Sequence, residues 1–89
     1  MVGGKVINIV QLPDNTWIQV LDATHSESDT CAIRVERNRH IKIGDELWWQ
    51  GTKAYWTPVP LTGREDVPLV RIGCSHRTIP DDVIEAAYA

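Results

Sequence analysis

Aromatic and basic side chains are the residues of this 89-residue chain whose types and spacing point most directly to a chemistry. Residues 41–60 hold three of the four tryptophans and one of the two tyrosines, and residues 34–42 carry a cluster of cations. Exposed rings stack on nucleobases at about 1–3 kcal/mol per base, while neighbouring cations hold the phosphates. The pattern therefore indicates a surface for single-stranded nucleic acid.

The predicted interface combines the exposed-ring candidates with the cations nearest to them in the sequence. Its members are Trp17, Arg34, Arg37, Arg39, Lys42, Trp48, Lys53, Tyr55 and Trp56. A second interpretation places some of these rings in the core, because the chain has no Phe and tryptophan is usually well buried. For any single ring the two interpretations stay open, but we do not expect all four rings to be core.

Metal and catalytic chemistry have weaker support. Cys31, Cys74 and His76, with His40, are the candidate metal ligands, but Cys74 and His76 are separated by one residue, unlike the C-x-x-C pairs of zinc sites. Serines and histidines at 25–26 and 75–76 are expected in polar loops and have no nucleophile-and-base motif. We therefore expect no metal, no cofactor and no enzymatic activity, and two cysteines that remain thiols.

Composition limits the possible partners. The apolar fraction of 43% and charged fraction of 24% are ordinary for a soluble globular domain, and no apolar run could span a membrane. The N-terminus lacks the pattern of a secretory signal, so we expect a cytoplasmic protein without a membrane partner. A net charge of −3 argues against an indiscriminate polyanion binder. We therefore expect one basic face on an acidic molecule.

Alternating apolar positions predict the strands that must position these residues. After a loose lead-in at residues 1–4, strands are expected over 5–12, 16–23, 31–37, 46–50 and 54–57, with a final edge strand over 68–74. The segments 24–30 and 59–67 read as loops. Residues 78–88 read as an amphipathic helix with Thr78 as N-cap, whose stripe of Ile79, Val83 and Ile84 must dock on the sheet or on a partner.

These elements predict a single domain over residues 1–89, mainly β, in which a small five- to six-stranded barrel over 5–74 precedes the helix. Ile41 and Ile43 are expected to seal the bottom of its core, and Leu47 to lie within it. The run Ile41, Gly44, Asp45 matches the apolar-x-x-Gly-Asp turn that enters a late strand of the OB-fold. The chain therefore resembles the OB-fold superfamily over residues 5–60, although it lacks a helix between its third and fourth strands. An SH3-like barrel uses the same turn and remains the alternative.

The resemblance implies a non-enzymatic binding module, since OB-folds hold oligonucleotides and oligosaccharides. Single-stranded DNA or RNA is the expected ligand because the rings come with cations. The alternative is a protein-interaction or homo-oligomeric assembly module that uses exposed tryptophans and the helix, since tryptophan is enriched in protein interfaces. Oligosaccharide binding would use the same rings and stays open as a third possibility.

Overall fold

The computed structural model describes residues 2–22, 30–58 and 70–88, which form six strands and one helix. The elements are β1 (Val2–Gln11), β2 (Asn15–Asp22), β3 (Thr30–Glu36), β4 (Glu46–Gln50), β5 (Lys53–Thr57), β6 (Ile72–His76) and α1 (Asp81–Tyr88). The predicted mainly β class with a short C-terminal helix is confirmed. Predictions for residues 1, 23–29, 59–69 and 89 lie outside the described residues.

Strands β1, β2 and β3 form an antiparallel meander. Pro13 and Asp14 supply turn residues between β1 and β2, and the Leu12 N–H closes the turn by donating to the Asn15 carbonyl at 2.9 Å. In β3 alternation predicts inward-facing Cys31, Ile33 and Val35 and outward-facing Arg34 and Glu36. The last four are confirmed, whereas Cys31 is only half-buried, and Ala32 is buried in the outer core.

Strands β4 and β5 form the predicted hairpin, with Gly51 at positive φ (59°) in its turn. Leu47 faces Trp56 on the inner side of the hairpin, and Trp48 faces Tyr55 on the outer side. Leu47 is fully buried, as predicted. Successive side chains of a strand alternate, so the hairpin carries aromatic rings on both of its faces.

The hairpin joins the meander through β1. Residues 2–4 pair with β4, where Gly3 faces Trp48, so the prediction of a loose lead-in was wrong. A Cβ on Gly3 would overlap the carbonyl oxygen of Leu47, and Gly3 has a φ of 145°. Glycine therefore permits the close approach of β1 and β4. The alternation of apolar residues that revealed the other strands is absent from this glycine pair.

The strands lie in the order β5-β4-β1-β2-β3-β6. The first five curl into a half-barrel, and β6 adds to the free edge of β3, in the edge position predicted for the final strand. This strand runs on to His76, so the prediction that residues 75–76 lie in a polar loop was wrong. Within the described residues no pairing joins β5 to β6, so both strands are edges.

The inner face of the sheet holds the main core. Val6, Ile18, Ile33 and Leu47 are fully buried there. Ile41 closes the core at 3% exposure, as predicted, but Ile43 is 66% exposed, so that part of the prediction was wrong. Ile43 lies in the turn before β4, where the alternation of a strand no longer applies.

The outer face holds a second core beneath α1. Val10, Trp17, Ala32 and Ile79 form it, and Val83 and Ile84 of the helix pack against it. The predicted docking stripe is confirmed. The predicted N-cap is not, because the Pro80 carbonyl accepts the first helical bonds, from Val83 N–H at 3.0 Å and Ile84 N–H at 3.2 Å. Proline disfavours helical geometry in the residue before it, so the helix cannot start at Thr78.

Candidate functional site

The structure divides the predicted interface into separate groups. One group lies on and beside residues 37–42, called the connector here, a second on the outer face of the β4–β5 hairpin, and a third on the outer face of β2 and β3. The first group consists of Arg37, Arg39, Lys42 and Trp56. The second consists of Trp48, Lys53 and Tyr55. The third consists of Trp17 and Arg34.

Asn38 fixes the backbone of the connector. Its N–H donates to Thr16 Oγ1 at 2.9 Å, and its carbonyl accepts from Gln11 Nε2 at 2.7 Å. Its side-chain Oδ1 accepts from the backbone N–H groups of His40 at 2.8 Å and Ile41 at 3.2 Å. The connector is therefore anchored at both its backbone and its side chains, although it contains no regular secondary structure.

The anchored connector presents cations to solvent. Arg37, Arg39 and Lys42 are all exposed. Arg37 Nη1 donates to the carbonyls of Leu12 at 3.4 Å and Pro13 at 3.1 Å, which ties the connector to the β1–β2 turn and leaves the other guanidinium N–H groups for a ligand. Neither Arg39 nor Lys42 has a side-chain hydrogen bond or ion pair with the described part of the chain.

Trp56 meets the connector through Asp45. Asp45 is 3% exposed, and its Oδ2 accepts from the Lys42 backbone N–H and from Trp56 Nε1, each at 2.9 Å. The His40 ring stacks on Trp56, with 6.4 Å between centroids and 19° between planes. One carboxylate oxygen thus holds the indole beside the connector, and an exposed histidine ring covers it.

The outer face of the hairpin carries the second group. Trp48 and Tyr55 face each other in register and are both half-buried. Lys53 is exposed at the turn end of the hairpin. Trp56 points to the opposite face of β5 and packs against the inner core, so the predicted rings do not form one continuous platform.

The third group contains Trp17, whose ring is buried. Trp17 is 5% exposed, because α1 packs over it together with Ile79. His76 lies beside it, with ring centroids 5.7 Å apart. Of the two interpretations left open for each ring, the core interpretation therefore holds for Trp17, because the helix covers this face of β2. Arg34 faces Trp17 across the strand pair and is exposed.

The described residues hold neither a cluster of metal ligands nor a membrane-spanning helix. No group of His, Cys, Asp or Glu side chains in residues 2–22, 30–58 and 70–88 is arranged to hold a metal ion. No helix within those ranges is both long and apolar enough to cross a membrane.

His40 is the site residue that the sequence did not assign to the interface. It lies within the run of cations at 34–42, but its stacking partner is sixteen residues away in the sequence, at Trp56. Only the turn at Gly44 and Asp45 brings them together, and the spacing of a strand pattern carries no signal for that contact.

Comparisons with models of protein families, with curated proteins and with solved structures find no match to this chain.

Proposed function

We propose that this chain is a non-enzymatic module that binds single-stranded DNA or RNA at the connector and at Trp56. The observation that carries the proposal is the pairing of exposed cations with a stacked ring pair on an anchored backbone. Binding of single strands without sequence preference needs these two components, a cationic track for phosphates and rings for bases.

Five residues of the connector have a role in this proposal. Arg39 and Lys42 contact phosphates, together with the guanidinium N–H groups of Arg37 that the β1–β2 turn does not use. A base stacks on the face of His40 opposite to Trp56. Because Asn38 already fixes the backbone, little conformational entropy is lost in ordering the connector on binding.

The resemblance to the OB-fold supports this placement. In that fold the loops between strands 1 and 2 and between strands 4 and 5 contribute to ligand binding. Here the β1–β2 turn holds Arg37, and Lys53 follows the β4–β5 turn. The helix covers the outer face of β2 and β3 around Trp17, so the proposal places the nucleic acid at the turns and the connector.

A fluorescence titration with oligo-dT or oligo-rU tests the proposal. We expect quenching of tryptophan emission with an affinity of about 10⁻⁶ M at moderate salt, since the net charge of −3 lowers nonspecific attraction. His40→Ala should weaken binding at least fivefold, because a lost base stack is worth about 1–3 kcal/mol. His76→Ala, an exposed ring at the other end of the sheet order, is the matched control and should bind as the unmodified chain does.

The edge position of β5 favours a second candidate, self-association or binding to a protein partner. An unpaired strand edge offers free backbone groups for pairing with another chain, and Trp48 and Tyr55 border this edge on the outer face. This candidate predicts no quenching by oligonucleotides at low salt. It also predicts a self-associated species in sedimentation experiments that Trp48→Ala disrupts.

A further inference from the structure

A cleft of about 340 Å³ lies at the opposite side of the sheet from the hairpin. It opens between the β1–β2 turn, the end of β3 and the start of β6. Four charged side chains line it: Asp14, Arg34, Glu36 and Arg71. This volume is at the lower end of the range for small-molecule sites, so the cleft suits a ligand of few atoms.

The charges of the cleft are balanced but unpaired. All four side chains are exposed, and none makes a hydrogen bond or ion pair with the described residues of the chain. A simple anion would be attracted by the guanidinium groups and repelled by the carboxylates. A simple cation would be attracted by the carboxylates and repelled by the guanidinium groups. A molecule that carries both charges, one at each end, is attracted by all four.

Asn15 adds an acceptor that the fold leaves unused. Its side-chain Oδ1 is buried and receives no hydrogen bond, and the residue lines the same cleft. Asn15 faces Glu36 across the β2–β3 pair. Buried polar atoms normally have a partner, so an unfilled acceptor beside a carboxylate points to a ligand that donates N–H groups there.

The strand register also breaks at the cleft. The pairing of β3 with β6 shifts between Ile33 and Val35, at the position of Arg34. Such irregularities re-aim side chains and are common beside binding sites. Ile72, which pairs with the buried Val35 after the shift, is half-buried and gives the cleft its accessible apolar lining.

We infer that this cleft binds a small zwitterion with an apolar side chain, of the class of a free α-amino acid. Arg34 and Arg71 hold the carboxylate, for which the planar guanidinium group is suited. The ammonium group donates to Asn15 Oδ1 and lies near Asp14 and Glu36. The apolar side chain packs against Ile72. The site shares no residue with the connector and does not depend on the proposed nucleic-acid binding.

NMR titration of the ¹⁵N-labelled chain with L-leucine tests this inference, with N-acetyl-leucine and leucinamide as ligands that retain one charge each. We expect saturable shifts at Asp14, Asn15 and Glu36 with millimolar leucine. Each one-charge analogue should bind at least about tenfold more weakly, because it loses a charge-assisted pair. Equal binding of leucine and N-acetyl-leucine, or no saturable shift with leucine, would overturn the inference.

Variants of the same chain give the second arm of the test. Arg71→Gln should weaken leucine binding at least about tenfold by removing one partner of the carboxylate. Arg77→Gln, an equal loss of charge at an exposed position outside the cleft, should leave the affinity unchanged. Equal affinity for both variants would contradict the assigned role of Arg71. If either variant lost the dispersed spectrum of a folded chain, the comparison of the three ligands on the unmodified chain would still decide the outcome.

Discussion

Asp45 is the single residue on which the candidate interface depends most. Its buried carboxylate accepts from the Lys42 backbone N–H and from Trp56 Nε1. Its own carbonyl accepts from the Val6 N–H at 2.8 Å, which ties the turn to β1. The residue that gave the sequence its resemblance to a known turn therefore also positions an aromatic ring beside the connector.

Ile41 and Ile43 give a residue-scale prediction, because they share a side chain and differ in environment. Ile41→Ala should destabilise the protein by about 2–5 kcal/mol, since it empties a buried position at 3% exposure. Ile43→Ala, at 66% exposure, should cost less than about 0.5 kcal/mol. Urea unfolding of both variants measures the difference. Equal losses would mean that the turn before β4 is wrongly placed.

At the scale of elements, the pairing of β1 with β4 depends on backbone contact at Gly3. Gly3→Ala would introduce both a steric overlap with the Leu47 carbonyl and the strain of a side chain at positive φ. Gly44→Ala, at φ 99° with open space around it, would introduce the strain alone. The first substitution should therefore cost at least about 1 kcal/mol more than the second, as overpacking does elsewhere. Denaturant unfolding of the two variants tests this order, and the reverse order would contradict the pairing.

The docking of α1 gives a second prediction for an element. Val83 and Ile84 pack on the outer core while Glu85 is exposed. Alanine raises helix propensity at Val83 and Ile84 by up to about 0.5 kcal/mol each, so any net loss reports lost docking. We expect the double variant Val83→Ala/Ile84→Ala to lose about 1–3 kcal/mol, and Glu85→Ala to change stability by less than about 0.5 kcal/mol. A double variant as stable as the parent would show that the helix does not depend on this contact.

The sequence predicted elements well and contacts between distant elements poorly. Alternation in β3 and around Leu47 identified both strands and their buried faces, since a period of two is a local property. The same pattern placed Trp17 on one face of β2 but did not say what covers that face. The apolar stripe of the helix was likewise predicted to need cover. Joining the two requires the tertiary fold, and so do the His40–Trp56 stack and the cleft beside Asn15.

At the scale of the whole molecule, a cationic connector belongs to a chain whose net charge is −3. The connector carries three exposed cations, and exposed carboxylates lie elsewhere, as at Asp81 and Asp82 in the first turn of the helix. Attraction of a polyanion to the connector is therefore local and is screened within about 10 Å at 0.1 M salt. Binding by this face must consequently depend strongly on salt.

The salt dependence of oligo-dT binding tests the central claim most directly. With about 2–4 phosphates contacted, the logarithm of the association constant should fall linearly with the logarithm of the salt concentration. Each contacted phosphate should contribute about 0.7 to this slope. Arg39→Ala/Lys42→Ala should reduce the slope by about 1.4. Lys5→Ala/Arg77→Ala, an equal loss of charge at exposed positions outside the connector, should leave it unchanged. No binding at about 50 mM salt, where attraction is strong, or equal slopes for the two double variants, would contradict the account.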